Sequence, residues 1–275
     1  MKHFAAYALA VLAATGWADA KPRAVSLDYC SDQYLLKLAD PDQIAAVSRG
    51  GDDDYSFMRD MAAPFPKIRP EIQEASALEP DLVLRQWGGG PAAATSFARF
   101  GADVVSLGYA NDFDDVKANI RMAAKALQQN PRGEALIADL EKRLSVLAAR
   151  PDTNIRALYV TPGGVTAGAQ TMIDAIMNAA GVVNIAAAEG KSYWPPLPAE
   201  QLILAPPELV VAGFFDTDAE QINHWSAARH PALRKMMQET PSIRLSADLL
   251  SCGAWYSVDA AEQLAAAAEA IRHEK

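Results

Sequence analysis

The residues in this chain that could do chemistry are few, and their spacing excludes more than it assigns. His224, His230 and His273 stand at no ligand spacing, whereas a zinc or manganese site needs several histidines and carboxylates converging on one point. There is no nucleophile elbow and no HExxH-type pair, and Gly88-Gly89-Gly90 lacks the lysine and serine that would complete a phosphate loop. Asp52-Asp53-Asp54 could suggest a cation site but reads better as a solvated loop. Cys30 and Cys252 could pair in an oxidising compartment, or remain two partly buried thiols. Catalysis, a resident metal and a cofactor are therefore not expected. A net charge of −9 argues against a nucleic-acid partner, which would want a basic surface.

The elements that would position any site begin after residue 20. Lys2, the apolar run Phe4 to Ala14 and the small-x-small step Ala18-Asp19-Ala20 read as a cleaved secretory signal, too short to span a bilayer. No cysteine follows the cleavage point directly, so a soluble, exported, periplasmic protein is expected. Short apolar strands then alternate with helices: Arg23 to Leu27, Ile44 to Val47, Leu82 to Leu84 and Val104 to Leu107. Helices are expected over Asp32 to Ala39, capped by Ser31, and over Asp112 to Gln129. Such a pattern indicates a parallel sheet covered on both faces.

The order then repeats. Arg156 to Val160 reads as a strand, Thr171 to Ala180 as a helix, and Pro207-Glu208-Leu209-Val210-Val211 mirrors Pro80-Asp81-Leu82-Val83-Leu84. A last helix, Asp259 to Arg272, is capped by Asp259 with Glu262 three residues on. Between the halves lies Asn130 to Ala149, opened by Asn and Pro, with Leu136, Leu140, Leu144 and Leu147 on one stripe. The fold class is α/β: two Rossmann-like lobes with central parallel sheets, joined by one long helix, with a cleft between them. The expected division is 1–20 signal, 21–130 first lobe, 131–150 bridging helix and 151–275 second lobe.

The runs RAVSL…SDQYLLKLADPDQIAAVS, ALEPDLVL, VTAGAQTMID and WPPLPAEQLILAPPELVV resemble, in order and spacing, the iron-chelate and cobalamin substrate-binding proteins of ABC importers. The resemblance implies a monomer that holds a metal chelate (ferric siderophore first, cobalamin next, haem third) and delivers it to an inner-membrane permease. It also implies a rigid bridge and little motion on closing. A metal-ion binder or an enzyme on the same fold is the alternative. Surface glutamates of such proteins pair with permease arginines. Glu200 fits that role in the second lobe; Gln73 takes the place in the first, with Glu71 or Glu74 as substitutes.

Ligands in open parallel sheets bind beyond the carboxyl ends of the strands. That rule selects Tyr29 and Trp87 in the first lobe, and Val165, Trp194 and Phe214 in the second. The loop Ser251 to Tyr256 adds Trp255 and Tyr256, in the place where the family often has a cleft arginine. Tyr55, after Asp54, matches an Asp-Tyr pair that contacts ligand in the cobalamin-binding relatives, and Trp194 a tryptophan-proline pair. Rigid aromatics give contact area at little entropic cost, which suits a wide planar or chelated ligand. Arg49, Arg69 and Arg85 could make the first lobe attractive to an anionic ferric chelate. A Cys30–Cys252 bond would clamp the cleft unless the two loops meet at its edge, and iron or haem ligation by Cys30 or Tyr29 is a further alternative.

Overall fold

A computed structural model describes residues 20–197, 205–214 and 231–274. Residues 1–19 of the expected signal, Glu200, Phe215, His224 and His230 lie outside these segments. The first lobe is built on the strands β1 (Ala24–Ser26), β2 (Ile44–Ser48), β3 (Lys67–Ile68), β4 (Leu82–Arg85) and β5 (Asp103–Ser106). All pair parallel, in the order β3-β2-β1-β4-β5. The second lobe carries β6 (Arg156–Val160), β7 (Val183–Asn184), β8 (Leu209–Gly213) and β9 (Ser242–Leu245), parallel in the order β7-β6-β8-β9. The two-lobed α/β class is as the sequence indicates. The edge strands β3, β7 and β9 were not expected from it.

Alternation along the strands sorts side chains to two faces. In β4, Leu82 and Leu84 join a central core while Val83 faces an outer cluster with Phe97 and Ala75. In the second lobe Ala157, Tyr159, Leu209 and Val211 face the centre, and Leu158, Val160 and Val210 face outward with Ile185 and Met236. The central core runs without interruption from one lobe to the other, taking in Ile137, Leu140 and Leu147 of the bridge.

The bridging helix spans Asn130–Ala148. Its buried stripe is Gly133, Ile137, Leu140 and Leu147, with Leu136 and Leu144 only partly covered, so the packing face is rotated slightly from the leucine stripe. The cause is Gly133, where a side-chain Cβ would sit 2.5 Å from the Cβ of Ala124. That close crossing seats the bridge against the preceding helix, Phe113–Ala126. Ion pairs secure both ends: Arg121 to Glu134 at 3.0 Å and Lys117 to Glu141 at 3.3 Å on the first lobe. On the second, Arg143 binds Glu262 and Asp259, and Arg150 meets Glu269 at 3.6 Å.

Three caps differ from expectation: the bridge is preceded by Gln129 as its N-cap and Asn130 is already helical. The first helix, Tyr29–Leu38, is capped by Asp28, whose carboxylate accepts from the Ser31 N–H at 2.9 Å, and not by Ser31. The last helix, Ser257–Glu274, starts two residues before Asp259, whose carboxylate is turned to Arg143.

Candidate functional site

The carboxyl ends of both sheets meet at one loop. At the end of β8, Gly213 packs against the Tyr159 hydroxyl and Leu250, leaving no room for a side chain. Two residues after Leu250, Cys252 is bonded to Cys30, which lies in the first helical turn beyond β1. The Cα atoms of the pair are 5.6 Å apart. Around the bond, the Tyr34 hydroxyl donates to the Gly253 carbonyl at 3.1 Å and the Ser251 hydroxyl to the Tyr55 carbonyl at 2.7 Å. Arg59 meets Asp248 at 2.9 Å. Cys30 is thus helical rather than on a loop, and the disulfide forms the floor of the cleft where the lobes already touch.

Trp255 and Tyr256 belong to this floor. Trp255 is 7% and Tyr256 1% exposed, so neither presents a surface to the cleft as expected. Trp255 lies edge-on to Tyr34 with the Lys37 ammonium 5.8 Å over its ring, and Tyr256 stacks on Phe57 at 4.1 Å. Apolar contacts on both sides draw them into the junction.

On the first-lobe side an aromatic wall is assembled. The Tyr29 ring meets Tyr55 edge-on at 4.7 Å and Trp87 at 4.9 Å. Burial, then the charges of Asp28 and the neighbouring Tyr109, raises the Tyr29 phenol above its ordinary value. The Tyr55 hydroxyl donates to the Asp53 carboxylate, and burial together with that acceptor raises its phenol as well. Both phenols therefore stay protonated at neutral pH, and the Tyr55 proton is held by Asp53. Tyr109 is 68% exposed and lies near enough for its charge to act on the Tyr29 phenol. The sequence reading missed it, although it lies just beyond β5, where the strand-end rule that chose Trp87 would also have chosen it.

The Trp87 loop is held from two sides. The Asp28 carboxylate is 4% exposed and accepts from the backbone N–H groups of Gln86, Trp87 and Gly88 at 2.7, 3.1 and 3.0 Å. Arg85 donates from Nε to the Gly88 carbonyl at 2.6 Å and from Nη2 to the Trp87 carbonyl at 3.1 Å. Gly88 passes so close to Leu27 that any side chain would run into that residue's carbonyl oxygen and Cβ.

Two of the three arginines expected to form an anion-attracting surface are turned to other partners, while Arg49 is exposed. Arg85 is turned to its own loop, and Arg69 to Glu74 at 2.6 Å from Nε and to Glu71 at 3.5 Å. Glu74 also accepts from the Arg69 N–H at 2.7 Å, so this docking candidate is internally paired, whereas Gln73 is exposed. The acidic run is likewise engaged: Asp52 meets Lys67 at 3.2 Å and Asp53 takes the Tyr55 hydroxyl. Among the described residues no group of three or more His, Cys, Asp or Glu side chains could hold a metal ion.

On the second lobe, Trp194 is 53% and Tyr193 60% exposed. They ride on a segment bonded to residues 164–169: Gly168 N–H to the Tyr193 carbonyl at 2.8 Å, Tyr193 N–H to the Ala169 carbonyl at 2.8 Å, and Thr166 N–H to the Pro195 carbonyl at 2.9 Å. Val165, half-buried, bridges to Pro196 beneath them. The Trp194 ring meets Tyr159 edge-on at 6.4 Å. Phe214 is half-buried at the end of β8 with a left-handed φ of 60°. The structure thus brings together Tyr29, Tyr55 and Trp87 on one lobe, and Val165 and Trp194 on the other.

Known proteins resemble this chain at two levels. Structures of a periplasmic heme-binding protein from Roseiflexus sp. RS-1 (TM-score 0.72, 23% identity, 92% of this chain and 100% of that one) and a periplasmic vitamin B12 binding protein of Vibrio cholerae (0.67, 19%, 91% and 98%) share the fold. So does an ABC-type Fe3+-hydroxamate transport protein from Saccharomonospora viridis (0.67, 18%, 90% and 94%). A curated cobalamin-binding protein of Halobacterium salinarum is 28% identical over 202 residues, 71% of this chain. The chain matches only 55% of the length of that relative. The periplasmic binding protein family model matches residues 24–223, from β1 through the bridge and past β8, and the chain belongs to that family.

Proposed function

We propose that this protein is the periplasmic solute-binding component of an ABC importer, that it captures a metal chelate in the cleft between its lobes, and that it performs no catalysis on it. The observation that carries the reading is the wall of Tyr29, Tyr55 and Trp87, with Tyr109 beside it, at the strand ends of the first lobe. Exposed aromatic surface beside the phenol of Tyr29 suits a large, rigid, mostly apolar ring bearing polar substituents.

Within the chelates, a corrinoid or porphyrin macrocycle now stands ahead of a ferric siderophore. The siderophore reading leaned on Arg49, Arg69 and Arg85, and the last two are committed to partners within the first lobe. Cobalamin, for which the curated relative is named, comes first and haem second. The permease would dock on outer surfaces of the two lobes, with Glu200 and the exposed Gln73 as the contact points.

Fluorescence titration of the mature protein with cyanocobalamin, haemin, a ferric hydroxamate and a ferric catecholate tests the proposal. Saturable quenching by a macrocycle at micromolar concentration or below, at one ligand per chain, is expected. Quenching by the siderophores alone would restore the earlier order. No response to any of the four would overturn the chelate reading.

A further inference from the structure

We propose that Asp28, with Arg85 opposite it, is the positioning residue of the ligand site: the two charges clamp the backbone from Gln86 to Gly88 and thereby fix the ring of Trp87 as the ligand platform. The inference rests on the chelate-binding reading and deepens it by naming the residue that sets the site's geometry.

Four backbone donors converge on one carboxylate. One oxygen of Asp28 takes the Ser31 N–H at the helix start, and the other takes the N–H groups of Gln86, Trp87 and Gly88. Three successive amides aimed at one oxygen wrap the loop around a buried anion, the arrangement seen where backbone binds phosphate. Here the anion is the protein's own. From the carbonyl side, Arg85 takes the Trp87 and Gly88 oxygens, the first of them in the same peptide unit as the Gly88 N–H that Asp28 holds. Charged partners roughly double the strength of such bonds over neutral ones. The peptide unit after Trp87 is therefore oriented from both ends by opposite charges, and the unit before it by Asp28 through the Trp87 N–H. The loop is also pressed onto Leu27 at Gly88. With its backbone so held, the Trp87 side chain can stand 37% exposed and still keep its edge contact with Tyr29. A tryptophan next to three glycines would otherwise sample many orientations and lose contact area to entropy on binding.

The substitution Asp28→Asn separates the two tasks of the carboxylate. Asparagine caps helices as well as aspartate does, so the oxygen facing Ser31 is kept. Its amide group replaces the oxygen facing the loop and turns a donor toward three donors. Arg85→Met removes the opposing charge without touching the helix cap, and serves if Asp28→Asn folds poorly.

The experiment uses protein labelled with 5-fluorotryptophan, the Trp87 resonance being assigned from Trp87→Phe. In the ligand-free wild type a single sharp Trp87 line is expected. In Asp28→Asn or Arg85→Met that line should shift and broaden, while the Trp255 line in the cleft floor stays in place. Macrocycle affinity should fall roughly tenfold in Asp28→Asn, and adding Trp87→Ala to it should cost no more than Trp87→Ala alone. An unchanged Trp87 line in both variants would overturn the clamp, as would losses that add fully in the double variant. Because the resonance is read without ligand, the clamp can be judged even if no macrocycle binds, an outcome that would count against the chelate reading alone.

Discussion

Single residues decide what the cleft can hold. Trp194 is the exposed aromatic of the second lobe, and its segment is pinned by backbone bonds to residues 164–169. Trp194→Ala should weaken macrocycle binding by about 2 kcal/mol, as expected of a tryptophan anchor, with thermal stability almost unchanged; titration calorimetry and a melt would read the two separately. A deeper residue carries a pH signature. Asp32 is wholly buried, and its carboxylate accepts from the Ser48 N–H at 2.9 Å and the Ser48 hydroxyl at 2.5 Å. Burial pushes its pKa from 3.8 up to about 7 against those hydrogen bonds. The folded state then holds the proton more tightly than the unfolded one. This group's stabilisation is therefore full below the ordinary carboxylate range and is lost as pH rises toward 7. Asn at position 32 keeps an acceptor for Ser48 and cannot ionise. The stability advantage of Asp32→Asn over wild type should grow between pH 4 and 7, the window set by those two values, and level off above it. An advantage independent of pH across that window would refute the assignment.

At the scale of elements, the bridge shows which contacts matter. Arg143 reaches Glu262 with two nitrogens, at 2.9 and 2.6 Å, and also binds Asp259, all three side chains being partly shielded. Arg150 makes a single longer contact of 3.6 Å to Glu269. Arg143→Met should cost about 1–2 kcal/mol in denaturant unfolding, discounted for solvent screening, and Arg150→Met under about 0.5 kcal/mol. Equal costs would mean that the bridge is held by apolar packing alone. Arg143, and Lys117 in its contact with Glu141 of the bridge, also show what sequence could not supply. Both helices were legible from their apolar period, yet no spacing rule states that a bridge arginine will meet carboxylates more than a hundred residues away. The same limit explains Arg69 and Arg85, whose charges were visible while their partners were set by tertiary placement. Buried strands were legible because both faces are covered, whereas β3 and β7 are two-residue edges and β9 has mixed exposure. The cap at Asp28 was obscured because Ser31, three residues on, is an equally good capping type.

For the whole molecule, the lobes are joined twice: by the bridge and by the cleft floor. The strand-end rule selected Tyr29, Trp87 and Trp194, which stand at least partly exposed, whereas Trp255 and Tyr256, expected in the cleft from the loop Ser251 to Tyr256, are buried beneath it. That burial makes the floor part of the continuous core, with Phe57 stacked on Tyr256 and Tyr34 against Trp255. A hinge opening would have to break these contacts, so a small rocking motion is expected on binding. Spin labels placed on the two lobes should report distance changes of a few ångströms between free and bound protein; closure by tens of degrees would show that the floor parts.

The Cys30–Cys252 bond also changes the connectivity of the molecule. With 222 residues of separation, it makes residues 30–252 a covalent ring that holds β2 to β9 and the bridge, with β1 and the last helix outside it. Closing a loop of 222 residues could remove up to about 5 kcal/mol of unfolded-chain entropy in the simplest account. A ring also tolerates a cut that a linear chain does not. One proteolytic nick anywhere between the two cysteines opens the ring but leaves every residue covalently attached. A singly nicked protein should therefore run as one species on a denaturing gel without reductant and as two with it, and before reduction it should still be able to hold its ligand.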